Sequence, residues 1–198
     1  DSIHRNYRLL KTISVERIFV ELSKLLCGKA AGRILREYED VIFFILPELE
    51  PMKGCVQNHE RHIYDVWGHT VTAVESVEPV PELKFAMLFH DSGKPECKTT
   101  DSKGIDHFYS HGKVSKKIAH DILTRLKTSV KFRNLVCNLV EYRDFLPDRI
   151  SVKTYKKYIG KLGMDTVKQL FSVRTADIMA QNPEFHAESL RENEIGLR

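Results

Sequence analysis

The chain has 198 residues, of which 42% are hydrophobic and 29% charged, a balance typical of a soluble globular protein that buries one sizeable core. Its 31 basic and 27 acidic residues leave a formal net charge of +4, which permits an anionic partner such as a nucleotide or RNA without requiring one. No apolar run is long enough to span a membrane.

The first quarter of the chain predicts short helices. Ser14 is placed to cap a helix that ends at Gly28, because apolar residues recur between them at helical spacing. A second helix is predicted over residues 30–38. The run 41–46 is uniformly apolar, so its pattern fits a buried helix or a buried strand, and its helical neighbours favour a helix. Residues 47–58, with two prolines and a glycine, predict a connector.

A long amphipathic helix is predicted next, over residues 63–77. It carries His69, and His62 lies seven residues earlier, on the same side of a helix that would include both. Two closely spaced prolines end this helix, and an apolar element over residues 83–89 follows.

An adjacent histidine and aspartate, His90 and Asp91, close that apolar element. We expect a helix to end there, with Gly93 in the left-handed conformation and Pro95 preventing the helix from resuming. Adjacent helical side chains diverge by roughly 100°, so only a group seated against the helix end can contact both. A neutral imidazole beside a carboxylate suits a divalent metal, and Lys94 suits a phosphate. Without context, a surface pair beside a turn is the better interpretation.

The rest of the chain predicts a loop followed by helices. Residues 99–112 are polar and contain glycine, and they carry His107 and His111. Apolar residues at helical spacing then predict four helices, over residues 114–127, 130–142, 152–162 and 165–181. The sequence contains no convincing strand, so we predict an all-α fold.

The cysteines are scattered and form no Cys-x-x-Cys pair. In a chain of this length without a signal peptide they predict reduced thiols in a cytoplasmic protein rather than a disulfide framework. The chain begins at Asp1 and not at methionine, so we expect it either to be processed or to be one part of a longer protein.

The order of His69, the His90–Asp91 pair and the late Asp177 resembles the HD superfamily of metal-dependent phosphohydrolases. In that pattern the first histidine lies on one helix, the His-Asp pair ends the next, and the last aspartate lies on a late helix, often after an alanine, as in Ala176-Asp177. The resemblance implies an HD-domain helical bundle with an N-terminal helical extension. Residues 1–57 would form a helical segment packed on the core, and residues 58–198 the HD domain.

The resemblance also implies a metal site. Its ligands would be His69, His90, Asp91 and Asp177, which leave open positions on one divalent ion. Two imidazoles favour iron, manganese, cobalt, nickel or zinc over magnesium. Asp144 competes with Asp177 for the fourth place, although it also fits a turn residue before a proline.

Arg143 stands where two-metal relatives commonly carry a histidine. Its guanidinium remains protonated and cannot be a ligand, which argues for one metal and not two.

Three residues are implied as catalytic. Asp91 would bind the metal and orient a water molecule, so we expect Asp91→Asn to abolish hydrolysis while leaving the fold helical. Lys94 would neutralise phosphate charge, although a solvated lysine after a helix is an equal alternative. His111 resembles the histidine that such enzymes direct at the phosphate or leaving group, where it would act as a general acid. Its alternative is a loop histidine that caps the next helix. The other histidines considered, His59, His62, His107 and His120, are expected at the surface or at caps.

Four segments resemble a narrower family. They are Ser14-Val-Glu-Arg-Ile, Ile45-Leu-Pro-Glu-Leu, Tyr64-Asp-Val-Trp-Gly-His-Thr and His107-Phe-Tyr-Ser-His. Together they resemble the C-terminal half of bacterial CCA-adding tRNA nucleotidyltransferases that carry an HD domain. The nucleotidyltransferase head of that family uses an Asp-x-Asp metal site, and no two aspartates here are two residues apart. The chain is therefore expected to be the HD half of a longer protein, or a free-standing descendant of one.

Two functions follow from these resemblances. The first is hydrolysis of a phosphate mono- or diester, in a nucleotide or at an RNA end. The second is non-catalytic binding and scaffolding of tRNA, largely through phosphate contacts. A lysine cluster suits the second function, although a solvated helix face is the better explanation of the pattern alone. The cluster consists of Lys153, Lys156, Lys157 and Lys161, with Tyr155 and Tyr158 between them.

Overall fold

A computed structural model of the protein describes residues 2–144 and 152–195. The structure is 72% helical, and the described residues include two short strands, which confirms the predicted all-α class. The α-helices are α1 (Ser2–Asn6), α2 (Val15–Cys27), α3 (Ala31–Glu37), α4 (Glu39–Ile45), α5 (Val66–Ser76), α6 (Pro81–Phe89), α7 (Lys94–Cys97), α8 (His111–Arg125), α9 (Val130–Tyr142), α10 (Val152–Leu162), α11 (Met164–Met179) and α12 (His186–Ile195). Short 3-10 helices cover Tyr7–Thr12, Pro47–Met52 and Pro183–Phe185, and the strands are β1 (Thr99–Thr100) and β2 (Asp106–His107).

Helix α6 lies at the centre of the molecule, with every residue from Leu83 to Phe89 buried. Phe85 packs against Phe19 of α2 and Phe132 of α9, with ring centroids 5.4 and 5.6 Å apart. One apolar core therefore runs from the N-terminal helices through α6 to α9 and α11. Because α6 is packed on all sides, its C-terminal end, where His90 follows, is held in a fixed place. None of the described helices combines the length and apolar character that crossing a bilayer requires.

Side-chain caps explain where two of the helices begin. The Ser14 side chain accepts a hydrogen bond from the Arg17 backbone at the start of α2, as predicted. The Asp65 carboxylate accepts one from the Gly68 backbone at 2.7 Å, so α5 begins at Val66. The predicted helix over 63–77 is therefore too long, and His62 lies outside it.

Three further elements differ from the sequence prediction. The loop over residues 99–112 contains an antiparallel hairpin, in which Thr99 pairs with His107 and Thr100 with Asp106. The connector over residues 47–58 contains a 3-10 helix. Helix α12 was not predicted from the sequence. The predicted ranges 1–57 and 58–198 include residues 1, 145–151 and 196–198, which lie outside the described part of the chain.

The turn after α6 differs from the prediction at both residues that were expected to end the helix, Gly93 and Pro95. Gly93 has φ −85° and ψ −8°, which is right-handed, and Pro95 lies in the first turn of α7 instead of stopping the helix. Glycine is needed because a Cβ atom there would lie 2.7 Å from both the His111 carbonyl oxygen and the Ser115 backbone nitrogen. The Gly93 N–H donates to the Ser115 hydroxyl at 2.9 Å. The start of α8 is thus docked directly onto the His90–Asp91 turn.

We expect Gly93→Ala to destabilise the protein by about 1–3 kcal/mol, the usual cost of overpacking, because the opposing atoms are backbone and cannot rotate away. Gly160→Ala is the matched control. Gly160 is exposed in α10, and a Cβ atom added there would have no neighbouring atom within 4 Å, so alanine should stabilise by about 0.5–1 kcal/mol. Urea unfolding of the three proteins measures both effects, and equal stability of the two variants would contradict the close approach.

Candidate metal centre

Three separate elements bring His69, His90 and Asp177 together. His69 lies on α5, His90 follows α6, and Asp177 lies on α11. The Asp177 Oδ1 atom is 2.8 Å from His69 Nε2 and 3.4 Å from His90 Nε2. One ligand atom from each residue lies within 4.8 Å of the others. The three residues therefore form a group that could hold a metal ion.

Backbone carbonyls fix the orientation of both imidazoles. His69 Nδ1 donates to the Ala180 carbonyl at 3.1 Å, and His90 Nδ1 donates to the Met87 carbonyl at 2.6 Å. Because a carbonyl only accepts, each Nδ1 carries a proton and each Nε2 is turned to the centre. The buried His90 Nε2 has no hydrogen-bond partner. The Nε2 atoms of both histidines face the Asp177 carboxylate oxygen. An imidazole lone pair repels a carboxylate oxygen unless a proton or a metal ion lies between them, so the arrangement fits either one.

Electrostatics in the centre favour charged groups despite burial. Burial lowers the pKa of His90, but the carboxylates of Asp91 and Asp177 outweigh it and raise that pKa to about 9. Burial would raise the pKa of Asp177, yet the hydrogen bond from His69, the nearby His90 imidazole and the charge of Arg143 hold it well below its usual range. The carboxylate therefore stays ionised, as a metal ligand must be.

Asp91 lies beside the centre but is shared with two cations. Its Oδ2 atom is 3.3 Å from His90 Nε2 and 3.6 Å from His69 Nε2. The same oxygen is 2.7 Å from Lys94 Nζ, and Oδ1 is 2.5 Å from Arg143 Nη2. Burial would raise the pKa of Asp91, but Arg143, His90 and Lys94 hold it well below its usual range. Asp91 thus joins the centre to a pair of buried positive charges.

The two candidate aspartates for the last ligand position lie in different surroundings. Asp177 has a side chain 17% exposed, beside both histidines. The Asp144 side chain is 63% exposed, accepts a hydrogen bond from Arg143 at 3.2 Å, and lies 3.9 Å from His111 Nε2. The structure places Asp177, and not Asp144, in the group of candidate ligands.

Lys94 is not the solvated lysine that the sequence allowed as an alternative. It is 5% exposed, and its ammonium donates to the Gln57 side chain at 2.6 Å while pairing with Asp91. The ammonium also lies 5.2 Å from the centroid of the Phe108 ring. Its charge is therefore held at one position beside the centre.

His111 begins α8 and points at the same carboxylate. Its Nδ1 donates to the Phe108 carbonyl at 2.6 Å, and its Nε2 lies 2.5 Å from Arg143 Nη2. Arginine only donates, so Nε2 accepts and the imidazole is neutral. Burial lowers the pKa of His111, and the positive charge of Arg143 lowers it further. The predicted role as a general acid needs the protonated form, which these surroundings oppose.

Sequence reasoning missed the buried roles of His62 and Arg143. His62 was expected at the surface, but its Nδ1 is buried without a partner and its ring lies 5.4 Å from that of His69. Burial, with the charges of Lys94 and His69, lowers the pKa of His62 to about 3. The seven-residue spacing to His69 predicted a shared helix face, but α5 begins at Val66, so the segment before the helix brings the two rings together. Of the other three histidines, His59 and His120 are exposed as expected.

An open cavity of about 320 Å³, which we call the inner cavity, lies beside the centre. Its lining contains three cations and three carboxylates together with imidazoles, and the cations suit an anionic group such as a phosphate. The lining residues that matter here are Arg61, His62, Lys94, His111, Arg143 and Asp177.

Comparison with known proteins finds relatives that act on tRNA. Residues 1–53 match a family model described as the probable RNA and SrmB-binding site of polymerase A. A CC-adding tRNA nucleotidyltransferase of Thermus thermophilus is 34% identical over 142 residues, covering 67% of this chain and 32% of that protein. An A-adding tRNA nucleotidyltransferase of Deinococcus radiodurans is 34% identical over 120 residues, covering 57% and 27%. A multifunctional CCA protein of Azoarcus sp. is 30% identical over 127 residues, covering 61% and 30%.

The chain spans about a third of the length of these curated relatives. The matches confirm the predicted homology to CCA-adding tRNA nucleotidyltransferases and add a similarity to an RNA-binding domain. The narrower assignment to the HD superfamily stays a prediction, which the geometry of the centre makes testable.

Proposed function

We propose that the chain is the helical, RNA-binding portion of a tRNA nucleotidyltransferase, and that its partner is tRNA. The observation that carries this proposal is the match of residues 1–53 to an RNA-binding family model, within a chain whose relatives act on tRNA. Nucleotide addition belongs to those whole proteins, so binding and positioning of tRNA is the function proposed for this portion.

The lysines of α10 are proposed to contribute phosphate contacts. Lys153, Lys156, Lys157 and Lys161 are all exposed, and their spacing of three and four residues places them along one side of the helix. Phosphate contacts of this kind fix the position of a nucleic acid without reading its sequence.

We expect the triple variant of Lys153, Lys156 and Lys157 to alanine to bind tRNA more weakly. The slope of log affinity against log salt concentration should fall by about 2–3, one phosphate contact for each lysine. Filter binding of a tRNA transcript at several salt concentrations measures this. The matched control replaces Lys24, Lys117 and Lys127, which are 65–79% exposed elsewhere on the surface. If both variants lost the same affinity for tRNA, the effect would come from net charge and not from these particular lysines. If the unmodified chain bound no tRNA, the proposal would be refuted.

A second function is proposed because His69, His90 and Asp177 form a possible metal-binding group beside a cavity that is lined in part by lysine and arginine. This function is hydrolysis of a phosphate mono- or diester, in a nucleotide or at an RNA end. A divalent ion of iron, manganese, cobalt, nickel or zinc, when bound, supplies Lewis acidity and lowers the pKa of a coordinated water molecule. The three residues would hold it, with Asp91 adjacent.

The residues around the centre would bind and orient the phosphate. Lys94 and Arg143 carry fixed positive charges in the inner cavity, where they neutralise phosphate oxygens. Asp91 Oδ2 faces the histidines and is placed to orient a water molecule. Its other oxygen is occupied by Arg143, which supports a site for one ion. This function is compatible with tRNA binding, because the cavity would then receive an RNA end.

Elemental analysis of protein purified without chelator, paired with a bis(p-nitrophenyl) phosphate assay, tests the second function. We expect about one transition-metal ion per chain and metal-dependent hydrolysis. A metal at 100 times its dissociation constant should also stabilise the fold by about 2.7 kcal/mol. No bound metal, together with no thermal shift from any of these ions, would refute the metal centre.

A further inference from the structure

A second cavity adjoins the inner cavity and shares lining residues with it. It has a volume of about 480 Å³, within the range of about 300–1,000 Å³ that small-molecule sites occupy, and we call it the outer cavity. Four residues line both cavities, so a single ligand can extend from one into the other. They are Phe108, Tyr109, His111 and Asp144.

The lining of the outer cavity differs in chemistry from that of the inner one. The aromatic rings of Tyr109, Tyr142 and Tyr158 border it, and the last two pack edge to face at 5.6 Å. Its charged side chains are two carboxylates, Glu141 and Asp144, and one ammonium, Lys113. Both carboxylates are already paired, Glu141 with Lys116 at 2.7 Å and Asp144 with Arg143 at 3.2 Å, so the lining adds one ammonium, that of Lys113, for a phosphate. Its aromatic rings instead suit a flat, uncharged ring with polar edges.

Tyr109 is built to offer one free aromatic face. Its ring lies nearly parallel to that of His107, with centroids 5.4 Å apart and 6° between the planes. His107 is held in turn by Asp101, whose carboxylate lies 3.0 Å from its Nε2 atom. Although one side of the ring is covered, Tyr109 is 73% exposed. One face of the Tyr109 ring therefore lies against His107, and the ring is otherwise open to solvent.

The backbone that follows Tyr109 is strained. Ser110 has φ +63°, in the left-handed region that residues other than glycine rarely adopt. This conformation connects Tyr109 to His111 at the first turn of α8, so the aromatic ring and the imidazole both line the cavities. Strain of this kind persists where the surrounding structure holds it, and it is concentrated at ligand sites.

From these observations we propose that the outer cavity binds the nucleobase of a nucleotide whose phosphate lies in the inner cavity. Tyr109 stacks on the base through its open face, and the Asp144 carboxylate, which is 63% exposed, is placed to accept a hydrogen bond from a base amino group. The inference rests on the proposed phosphoester function of the metal centre, and it names the part of the substrate that the centre itself does not contact. Tyr109 thus distinguishes a nucleotide from a simple phosphate ester.

Calorimetric titration of the metal-loaded 198-residue chain tests the base site. The probes are adenosine 2′-, 3′- and 5′-monophosphate, with ribose 5-phosphate and inorganic phosphate as ligands that lack a base. We expect at least one adenosine monophosphate to bind about 5- to 20-fold more tightly than ribose 5-phosphate, the lower part of the range for base–aromatic stacking because the site is open to water. Tyr109→Ala should abolish this difference, and Tyr109→Phe, which keeps the ring, should retain it.

The controls separate a stacking role from a general effect. Tyr64→Ala removes another tyrosine, 44% exposed and outside both cavities, and should change no affinity. Equal weakening of nucleotides and ribose 5-phosphate by Tyr109→Ala, or no weakening of the nucleotides, would overturn the base site. So would equal affinity of the unmodified chain for nucleotides and ribose 5-phosphate. Metal content and bis(p-nitrophenyl) phosphate hydrolysis, measured on the same samples, report separately on the metal centre and its activity, so failure of the base site and failure of the phosphoester function are distinguishable.

Discussion

Asp177→Ala is expected to lower the metal affinity of the protein by at least about 100-fold and to reduce phosphoester hydrolysis in step. Asp177 supplies the oxygen that lies 2.8 Å from His69 Nε2 and 3.4 Å from His90 Nε2, so its removal takes away a direct ligand. The loss should therefore exceed the 10- to 100-fold that follows removal of a residue that only orients a ligand. Elemental analysis and metal titration of the purified variant measure it.

Asp144→Ala is the matched control, because it removes the other candidate carboxylate. Asp144 is 63% exposed and contacts Arg143 rather than the two histidines, so metal content should stay near that of the unmodified chain. Any effect on hydrolysis should be modest and act through the substrate. Added metal should partly restore Asp177→Ala. If Asp144→Ala emptied the site while Asp177→Ala kept it full, the assignment of the last ligand would be wrong.

Helix positions followed from the sequence wherever apolar spacing and a local boundary signal agreed. The helices over 130–142 and 152–162 have the predicted ends. The start of α5 was misplaced because it depends on the Asp65 carboxylate, which bonds to both Gly68 and Gly54. The need for Gly93 comes from α8, more than fifteen residues further along the chain, and no local pattern reveals such an approach.

The residues of the candidate site were also predictable from the sequence only in part. Motif order brought out His69, His90 and Asp177, and the structure places their ligand atoms together. The surroundings of Asp91 were not predictable, because its partner Arg143 lies 52 positions away. Spacing and charge patterns show which residues share a helix face, but not which buried cation meets which buried anion across the core.

Asp91→Asn is expected to destabilise the metal-free protein by about 3–5 kcal/mol, the range for breaking a buried ion pair by removing one partner. The sequence alone suggested that asparagine, being similar in size, would leave the fold intact. The structure changes this expectation, because Asp91 is fully buried and pairs with Arg143 and Lys94 at 2.5 and 2.7 Å. A neutral amide would leave both cations buried without their shared counter-charge.

A double-mutant cycle separates this ion pair from the loss of a metal ligand. Urea unfolding with chelator present compares the unmodified chain with Asp91→Asn, Arg143→Met and the double variant, so no bound metal contributes. Because Arg143→Met removes one of the cations stranded by Asp91→Asn, the double variant should be more stable than the sum of the single effects predicts, by about 0.5–3 kcal/mol. The control cycle pairs Arg143→Met with Asp144→Asn. Its coupling should be near zero, since Asp144 is mostly solvated. Additive effects in the first cycle would show that the Asp91–Arg143 contact contributes no stability of its own, and the cost of Asp91→Asn would then have to come from Lys94 and the two histidines.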